Sequence, residues 1–266
     1  ISNFLNPKFY YNKSLLAENY FITDNYISSK KVLNVFSEND EIYNWFKIKK
    51  KSQIISEQKS EKEALDFLEI QFEKINKPSD KIKFDMANLY KNSKKYDEAI
   101  KLYSDLLKNI KKNSNVHADI LYRRGGSYER IKKFKKSDND LLLSLKINPN
   151  EPYVMNYLAY SWLERDHKID EALSMLKKAY NQKKNDPYII DSIGWAYYLK
   201  KDYQRAEKYL IKAVELMPDD PIVNDHYGDI LWKLNRKIQA RYFWNNVLTF
   251  DETEEDMREK INIKVI

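Results

Sequence analysis

The chain has 266 residues and no cysteine, with 47 lysines and arginines against 40 aspartates and glutamates, a net charge of +7. The lack of cysteine excludes disulfides and thiolate chemistry, and 42% hydrophobic residues, with 14% aromatic, are too many for a disordered chain. No run approaches the roughly 18 apolar residues of a membrane span.

A 34-residue period organises the chain. It is clearest where Pro187, Asp191, Gly194, Ala206 and Leu210 recur as Pro221, Asp225, Gly228, Ala240 and Trp244. With Pro187 as position 1, small residues stand at positions 8 and 20, where two helices cross too closely for a large side chain.

In chain order, a first repeat near Tyr10 has Ala17 at position 8 and Ser29 at position 20. A degenerate one over residues 44–79 is held by Ala64 and Leu68. The repeat from Asp80 has Ala87 and Ala99 and ends in extra polar residues, KKNSNVH. That from Ala118 has Gly125 and Ser137, and that from Pro152 has Ala159 and Ala172, with one extra residue in the turn ERDHKID. The last two begin at Pro187 and Pro221, and a further helix starts in 255–266.

Tyr26, Tyr96, Phe134, Ile169 and Tyr203 open the second helices. Pro7, Pro78, Pro149, Pro152, Pro187, Pro218 and Pro221 all lie at or beside repeat edges, where proline stops one helix and starts the next. The expected organisation is a less regular, basic segment 1–151, a regular segment 152–254 and a closing helix over 255–266. Ile1 and the closing INIKVI read as the ends of a piece of a longer protein.

The positive charge is uneven. Residues 1–151 hold 29 basic against 21 acidic side chains, in runs such as Lys47 to Lys51 and Lys132 to Lys136, and the remainder is near balance. Only eight of the 47 basic residues are arginine, the side chain that phosphate and base recognition favours. The basic runs therefore read as solvated helix faces, with a nucleic-acid-binding basic solenoid as the alternative.

Catalytic patterns are missing. His117, His167 and His226 fall in different repeats without metal-ligand spacing, and neither a nucleophile elbow nor a glycine-rich phosphate loop occurs, so no metal or cofactor is expected. Asp191 and Asp225, both at position 5, should face one groove about 10 Å apart. Ligand hydrogen bonding, a structural role and a carboxylate pair for glycoside hydrolysis are the three readings of that spacing.

With these residues in place, the chain resembles the tetratricopeptide repeat family. The match is strongest over residues 152–252, and NYLAYSWLERDHKIDEAL and the stretch Asp191 to Arg241 are similar to the C-terminal repeats of multi-repeat proteins of Gram-negative bacteria, especially alphaproteobacteria. Some of those are exported or lipid-anchored in the periplasm. The resemblance implies an all-α fold, a right-handed α-solenoid of about seven TPR helix-turn-helix repeats. It also implies a non-enzymatic scaffold or adaptor that holds a partner protein or peptide in its concave groove. An enzyme domain outside this segment is a further alternative.

In the family the first helix of each repeat lines the groove through positions 2, 5, 9, 12 and 13. Here these become Tyr153, Asn156, Tyr160, Leu163 and Glu164; Tyr188, Asp191, Trp195, Tyr198 and Leu199; and Ile222, Asp225, Asp229, Trp232 and Lys233, preceded by Tyr122, Glu129 and Arg130. Tyr160, Trp195, Tyr198 and Trp232 are expected to form an aromatic ladder, with Asp191 and Asp225 beside it as acceptors for an extended peptide. The family's clamp for acidic C-termini is not matched, because Phe84 precedes Asn88 where a lysine belongs.

Overall fold

The computed structural model describes residues 10–265; Pro7 lies outside the described residues. Among them all regular structure is helical. The helices are α1 (Tyr10–Ile22), α2 (Tyr26–Leu33), α3 (Glu41–Gln58), α4 (Glu61–Glu73), α5 (Asp80–Asn92), α6 (Tyr96–Asn109), α7 (Asn115–Arg130) and α8 (Phe134–Ile147). They continue as α9 (Pro152–Leu163), α10 (Ile169–Gln182), α11 (Pro187–Leu199), α12 (Tyr203–Leu216), α13 (Pro221–Lys233), α14 (Lys237–Thr249) and α15 (Glu255–Val265). The chain forms two compact units, one ending at Leu106 and one beginning at Leu107.

Local chemistry sets the helix ends. Pro152, Pro187 and Pro221 open α9, α11 and α13, where a missing N–H costs nothing. Asp186 caps α11 by accepting from the Ile189 N–H, and Asp220 caps α13 by accepting from Ile222 and Val223. Ser114 caps α7 through the His117 N–H, so that helix begins at Asn115, three residues before Ala118. Five turns joining first to second helices carry a left-handed residue at the same repeat position, Asp24, Lys94, Lys132, Lys201 and Asn235, with φ between 57° and 62°. These residues end the first helix and reverse the chain.

In the first unit, α1 pairs with α2 and α3 with α4. One core gathers Ala17, Leu33, Phe36 and Ile54, and another gathers Trp45, Ile48, Leu68, Ile82 and Met86. Ser29 Oγ donates to the Ala17 carbonyl at 2.9 Å, and Ser52 Oγ to the Ala64 carbonyl at 2.9 Å. The degenerate repeat thus uses the same close crossing, with serine and alanine exchanged.

The second unit stacks α7/α8, α9/α10, α11/α12 and α13/α14 as hairpins and closes with α15 on α14. Second helices α10 and α12 pack on the next first helix, and α9, α11 and α13 run side by side. One hydrophobic core continues from Leu141 to Ile261. Ala159, Ala172, Ala206 and Ala240 are fully buried in it, as Ala17, Ala87 and Ala99 are in the first unit.

The glycines show why position 8 must be small. A Cβ on Gly125 would lie 3.0 Å from Leu141 Cγ, and one on Gly194 would lie 2.6 Å from Leu210 Cγ. On Gly228 it would run into the Trp244 indole. The neighbour of position 8 is the bulky residue at position 24, four beyond the second small one. Leu141, Leu176 and Leu210 are fully buried there, each contributing about 1.5–3 kcal/mol.

Candidate functional site

Three first helices of the second unit, α9, α11 and α13, place a polar residue at position 5 and a second residue of the same face at position 9. Residues four apart share a helix face, so Asn156 and Tyr160 on α9, Asp191 and Trp195 on α11, and Asp225 and Asp229 on α13 form three parallel steps.

These steps differ from the open acceptors expected of them. Asp191 is 4% exposed and Asp225 1% exposed, and both are engaged inside the protein. His226 Nδ1 lies 2.9 and 3.1 Å from the two Asp191 carboxylate oxygens. Asp225 takes Lys260 at 2.9 Å and also Lys264, which pairs with Asp229 as well. A buried carboxylate is costly to leave unpaired; His226 of α13 compensates Asp191, and Lys260 and Lys264 of α15 compensate Asp225.

The electrostatics follow from this network. Burial works against a charged His226, but Asp191, then Asp225 and Glu164, outweigh it and hold the imidazole above its ordinary value. Burial also opposes ionisation of Asp225, yet Lys264, Lys260 and His226 bring its carboxyl below the usual range. Asp229 moves the other way, through burial and the Asp225 charge. Burial, with Glu164, Asp191 and Asp225 nearby, raises the Tyr160 phenol well above its ordinary value.

The aromatic ladder is only partly formed. Tyr198 stacks on Trp195 at 4.6 Å and 8°, and Trp195 stacks on His226 at 4.1 Å and 10°. Tyr160 meets the same imidazole at 6.1 Å, tilted by 51°. Trp232 instead packs on Trp244 at 5.4 Å, with Lys237 and Arg241 over its ring. Trp195, Tyr198 and Trp232 are partly buried against the core, so they support the fold as well as facing outward. Leu163, expected in the groove, is 2% exposed and belongs to the core.

The remaining positions are more open. Tyr153, Tyr188 and Ile222, all at position 2, are 48%, 55% and 43% exposed, forming a row at the starts of α9, α11 and α13. Arg130 and Lys233 are exposed. Tyr122 packs edge-on against Tyr157, whose hydroxyl donates to Glu129 at 3.2 Å. Two polar atoms on this face are buried without a partner, Asn156 Oδ1 and Trp195 Nε1. A small cavity of about 90 Å³ opens beside Asn156, Tyr160, Tyr188 and Asp220, and a wider hollow of about 570 Å³ between Tyr198, Trp232 and α15.

Periodicity alone did not single out His226, Lys260 or Lys264. The one available signal was the four-residue spacing of Lys260 and Lys264, which puts both on one helix face. The described residues hold no group of three His, Cys, Asp or Glu side chains able to bind a metal ion, and no helix long and apolar enough to cross a membrane.

The basic run of the first unit also departs from a solvated face. Lys47 is 8% exposed and donates to the Phe36 carbonyl, while Lys50, 6% exposed, pairs with Glu18 at 2.5 Å over the Phe21 ring. Lys49 pairs with Asp85 at 2.6 Å, and Lys51 donates to Asn34 Oδ1. This run is spent on internal contacts. Lys132, Lys133, Lys135 and Lys136 are exposed.

Family models described as "Tetratricopeptide repeat" match residues 187–220 and 81–113. The chain carries tetratricopeptide repeats at both places. It is similar to a TPR repeat-containing protein of Pseudomonas aeruginosa, 27% identical over 143 residues, 54% of this chain and 23% of that protein. It is also similar to anaphase-promoting complex subunit 3 of Schizosaccharomyces pombe, 23% identical over 115 residues, 43% of this chain and 16% of that protein. The matched part is less than a quarter of either relative's length. Among solved structures, a tetratricopeptide repeat protein from Parabacteroides merdae gives a TM-score of 0.74 at 17% identity, covering 97% of this chain and 99% of that one. A thermophilic TPR protein of Thermus thermophilus gives 0.59 at 17% identity, covering 70% and 99%. The fold is therefore that of a tetratricopeptide array, with the polar network of α11, α13 and α15 built into its last repeats.

Proposed function

We propose that this tetratricopeptide protein is a non-enzymatic scaffold that holds an extended segment of a partner protein along the first-helix face of its second unit. The observation that carries this reading is the exposed row of Tyr153, Tyr188 and Ile222. Large side chains at one repeat position stand in solvent on three consecutive repeats. Exposed aromatic side chains repeated along one face are the composition of recognition surfaces. Asp191 and Asp225 hold the face together and are not contact residues in this reading. One relative is named as a subunit of a complex, in keeping with an assembly role.

The test is a quantitative pull-down with the wild type and the triple variant Tyr153→Ala, Tyr188→Ala, Ile222→Ala. These side chains are exposed, so the melting temperature should hold while a partner captured by the wild type is lost. The same proteins captured in equal amount by both would refute this reading.

A further inference from the structure

In the first unit, apart from the partner face, the lysines of α3 are of two kinds. Lys49 and Lys50 have close carboxylates, Asp85 at 2.6 Å and Glu18 at 2.5 Å. Lys47 and Lys51, four residues apart on one helix face, do not. The Lys47 side chain is nine-tenths buried, yet its ammonium has only the Phe36 carbonyl at 3.3 Å and Glu38 at 3.5 Å, an acid whose side chain is 84% exposed. Lys51 donates to a neutral acceptor, Asn34 Oδ1, at 2.8 Å. Burial and the Lys47 charge bring the Lys51 ammonium below its ordinary pKa, with Glu38 opposing them in part. An ammonium has three N–H donors, so both lysines retain hydrogen bonds to give. A buried cation without a close counter-charge is costly, and a like charge one helical turn away adds to the cost.

Both lysines line a cavity of about 720 Å³ with a mainly polar surface, inside the roughly 300–1,000 Å³ of small-molecule sites. Its second wall is the end of α4 and the turn that follows. That wall brings two more lysines, Lys74 and Lys77, neither paired with a carboxylate among the described residues. Asn44, Gln71 and Asn76 add amide donors, and Ile48, Phe67 and Ile75 supply an apolar side. Of the two acids on the lining, Glu41 accepts from the Ser79 N–H at 2.8 Å, and Glu38 is largely in solvent. Four ammonium groups against two carboxylates leave this hollow positive. Lysine acts as a point charge without the planar fork of arginine, so such a lining selects for the number of charges on a ligand.

We propose that this cavity binds a small molecule carrying two or more negative charges, a phosphate ester or a polycarboxylate. Its charged groups lie between Lys47 and Lys51 on one wall and Lys74 and Lys77 on the other. Its carbon skeleton rests on Ile48, Phe67 and Ile75. Glu38 gives up its loose contact with Lys47 to the ligand and stays in solvent.

The test is isothermal titration calorimetry of the full chain with pyrophosphate and, separately, with citrate, at one fixed ionic strength. At least one of the two should bind, and the tighter one tells phosphate from carboxylate. Lys51→Gln with Lys77→Gln, at positions that are not buried, should weaken that binding at least about tenfold, the value of one charge-assisted hydrogen bond. Lys132→Gln with Lys135→Gln makes the same charge change on exposed lysines of the second unit and should leave binding unchanged. Binding of neither anion, full binding by the Lys51 and Lys77 variant, or an equal loss in the Lys132 and Lys135 variant would each overturn the proposal. The pull-down with the Tyr153, Tyr188 and Ile222 variant is unaffected by any of these results.

Discussion

The Trp195 indole lies flat on the His226 imidazole, 4.1 Å between centroids and 10° between planes, while Asp191 holds the Nδ1 edge of the same ring. Trp195 and Asp191 both belong to α11 and His226 to α13, so one ring joins two consecutive repeats. An imidazolium in this position gains ring attraction from the indole and an ion pair from Asp191.

This arrangement gives stability a pH dependence of definite sign. The folded state binds the His226 proton more tightly than the unfolded chain, whose histidine titrates near 6.5. The stabilisation is therefore fully present below about pH 6.5 and is lost as pH rises through the raised folded value. Denaturant titrations from slightly acidic to mildly alkaline pH should show falling stability in the wild type and a flatter profile in His226→Gln. Identical profiles would show that His226 titrates normally.

The glycines should respond oppositely to one methyl group. Gly194→Ala puts a Cβ 2.6 Å from Leu210 Cγ and 3.2 Å from Leu210 N, in a buried crossing that cannot open, and should cost about 1–3 kcal/mol. Gly126→Ala meets only the Tyr157 ring and hydroxyl at 3.4–3.8 Å and should stabilise its helix by about 0.5–1 kcal/mol. Urea midpoints of the two variants should move in opposite directions.

Much of the fold could be read before any coordinates, because its rules are local and repeat. Pro187 and Pro221 start helices, Tyr26, Tyr96, Phe134, Ile169 and Tyr203 open second helices, and Gly194 and Gly228 mark close crossings. One helix runs past its repeat edge, because Ser114 caps α7 and starts it at Asn115, ahead of the repeat position at Ala118. The site was less legible. Periodicity gives the face a residue is on, but not whether another repeat has already claimed it. Asp191 and His226 are 35 residues apart and Asp225 and Lys264 are 39 apart, pairings set by how repeats stack. The run Lys47 to Lys51 misled for the same reason, since Lys50 reaches Glu18 across the first unit.

The turns hold a simpler opportunity. Lys201 adopts φ of 60° between α11 and α12, a conformation that costs a residue with a Cβ about 1 kcal/mol or more. Lys201→Gly should relieve most of it and raise the melting temperature, offset in part by the larger chain entropy of glycine when unfolded. A lowered melting temperature would mean that the lysine side chain contributes more than its backbone costs.

Arg258 should act as the hinge pin of α15. Its guanidinium donates to the carbonyls of Thr253 at 3.1 Å, Leu248 at 2.6 Å and Phe250 at 2.7 Å, closing the end of α14 and the turn that follows. Hydrogen bonds to a charged group are worth about 1.5–3 kcal/mol each in favourable cases. Arg258→Ala should free α15 first, seen as faster amide hydrogen exchange across residues 255–265 than in α13. Unchanged protection there would show that Ile261 packing alone holds the helix.

The lysines of α15 and the histidine of α13 should be linked through Asp225. That carboxylate, 1% exposed, faces Lys260 and Lys264 on one side and contributes to raising the His226 value on the other. Lys260→Met with Lys264→Met removes both cations while keeping the stems that cover the groove. Asp225 then has His226 as its nearest compensation, so the imidazole should hold its proton to still higher pH. The protein should also lose about 3–5 kcal/mol, the cost of breaking a buried pair from one side. The chain has only three histidines, so their ring resonances can be followed individually by NMR across a pH series. An upward shift confined to His226 would establish the link. A downward or absent shift would mean that Asp225 protonates once the lysines are gone, and that α15 fixes its charge state without reaching His226.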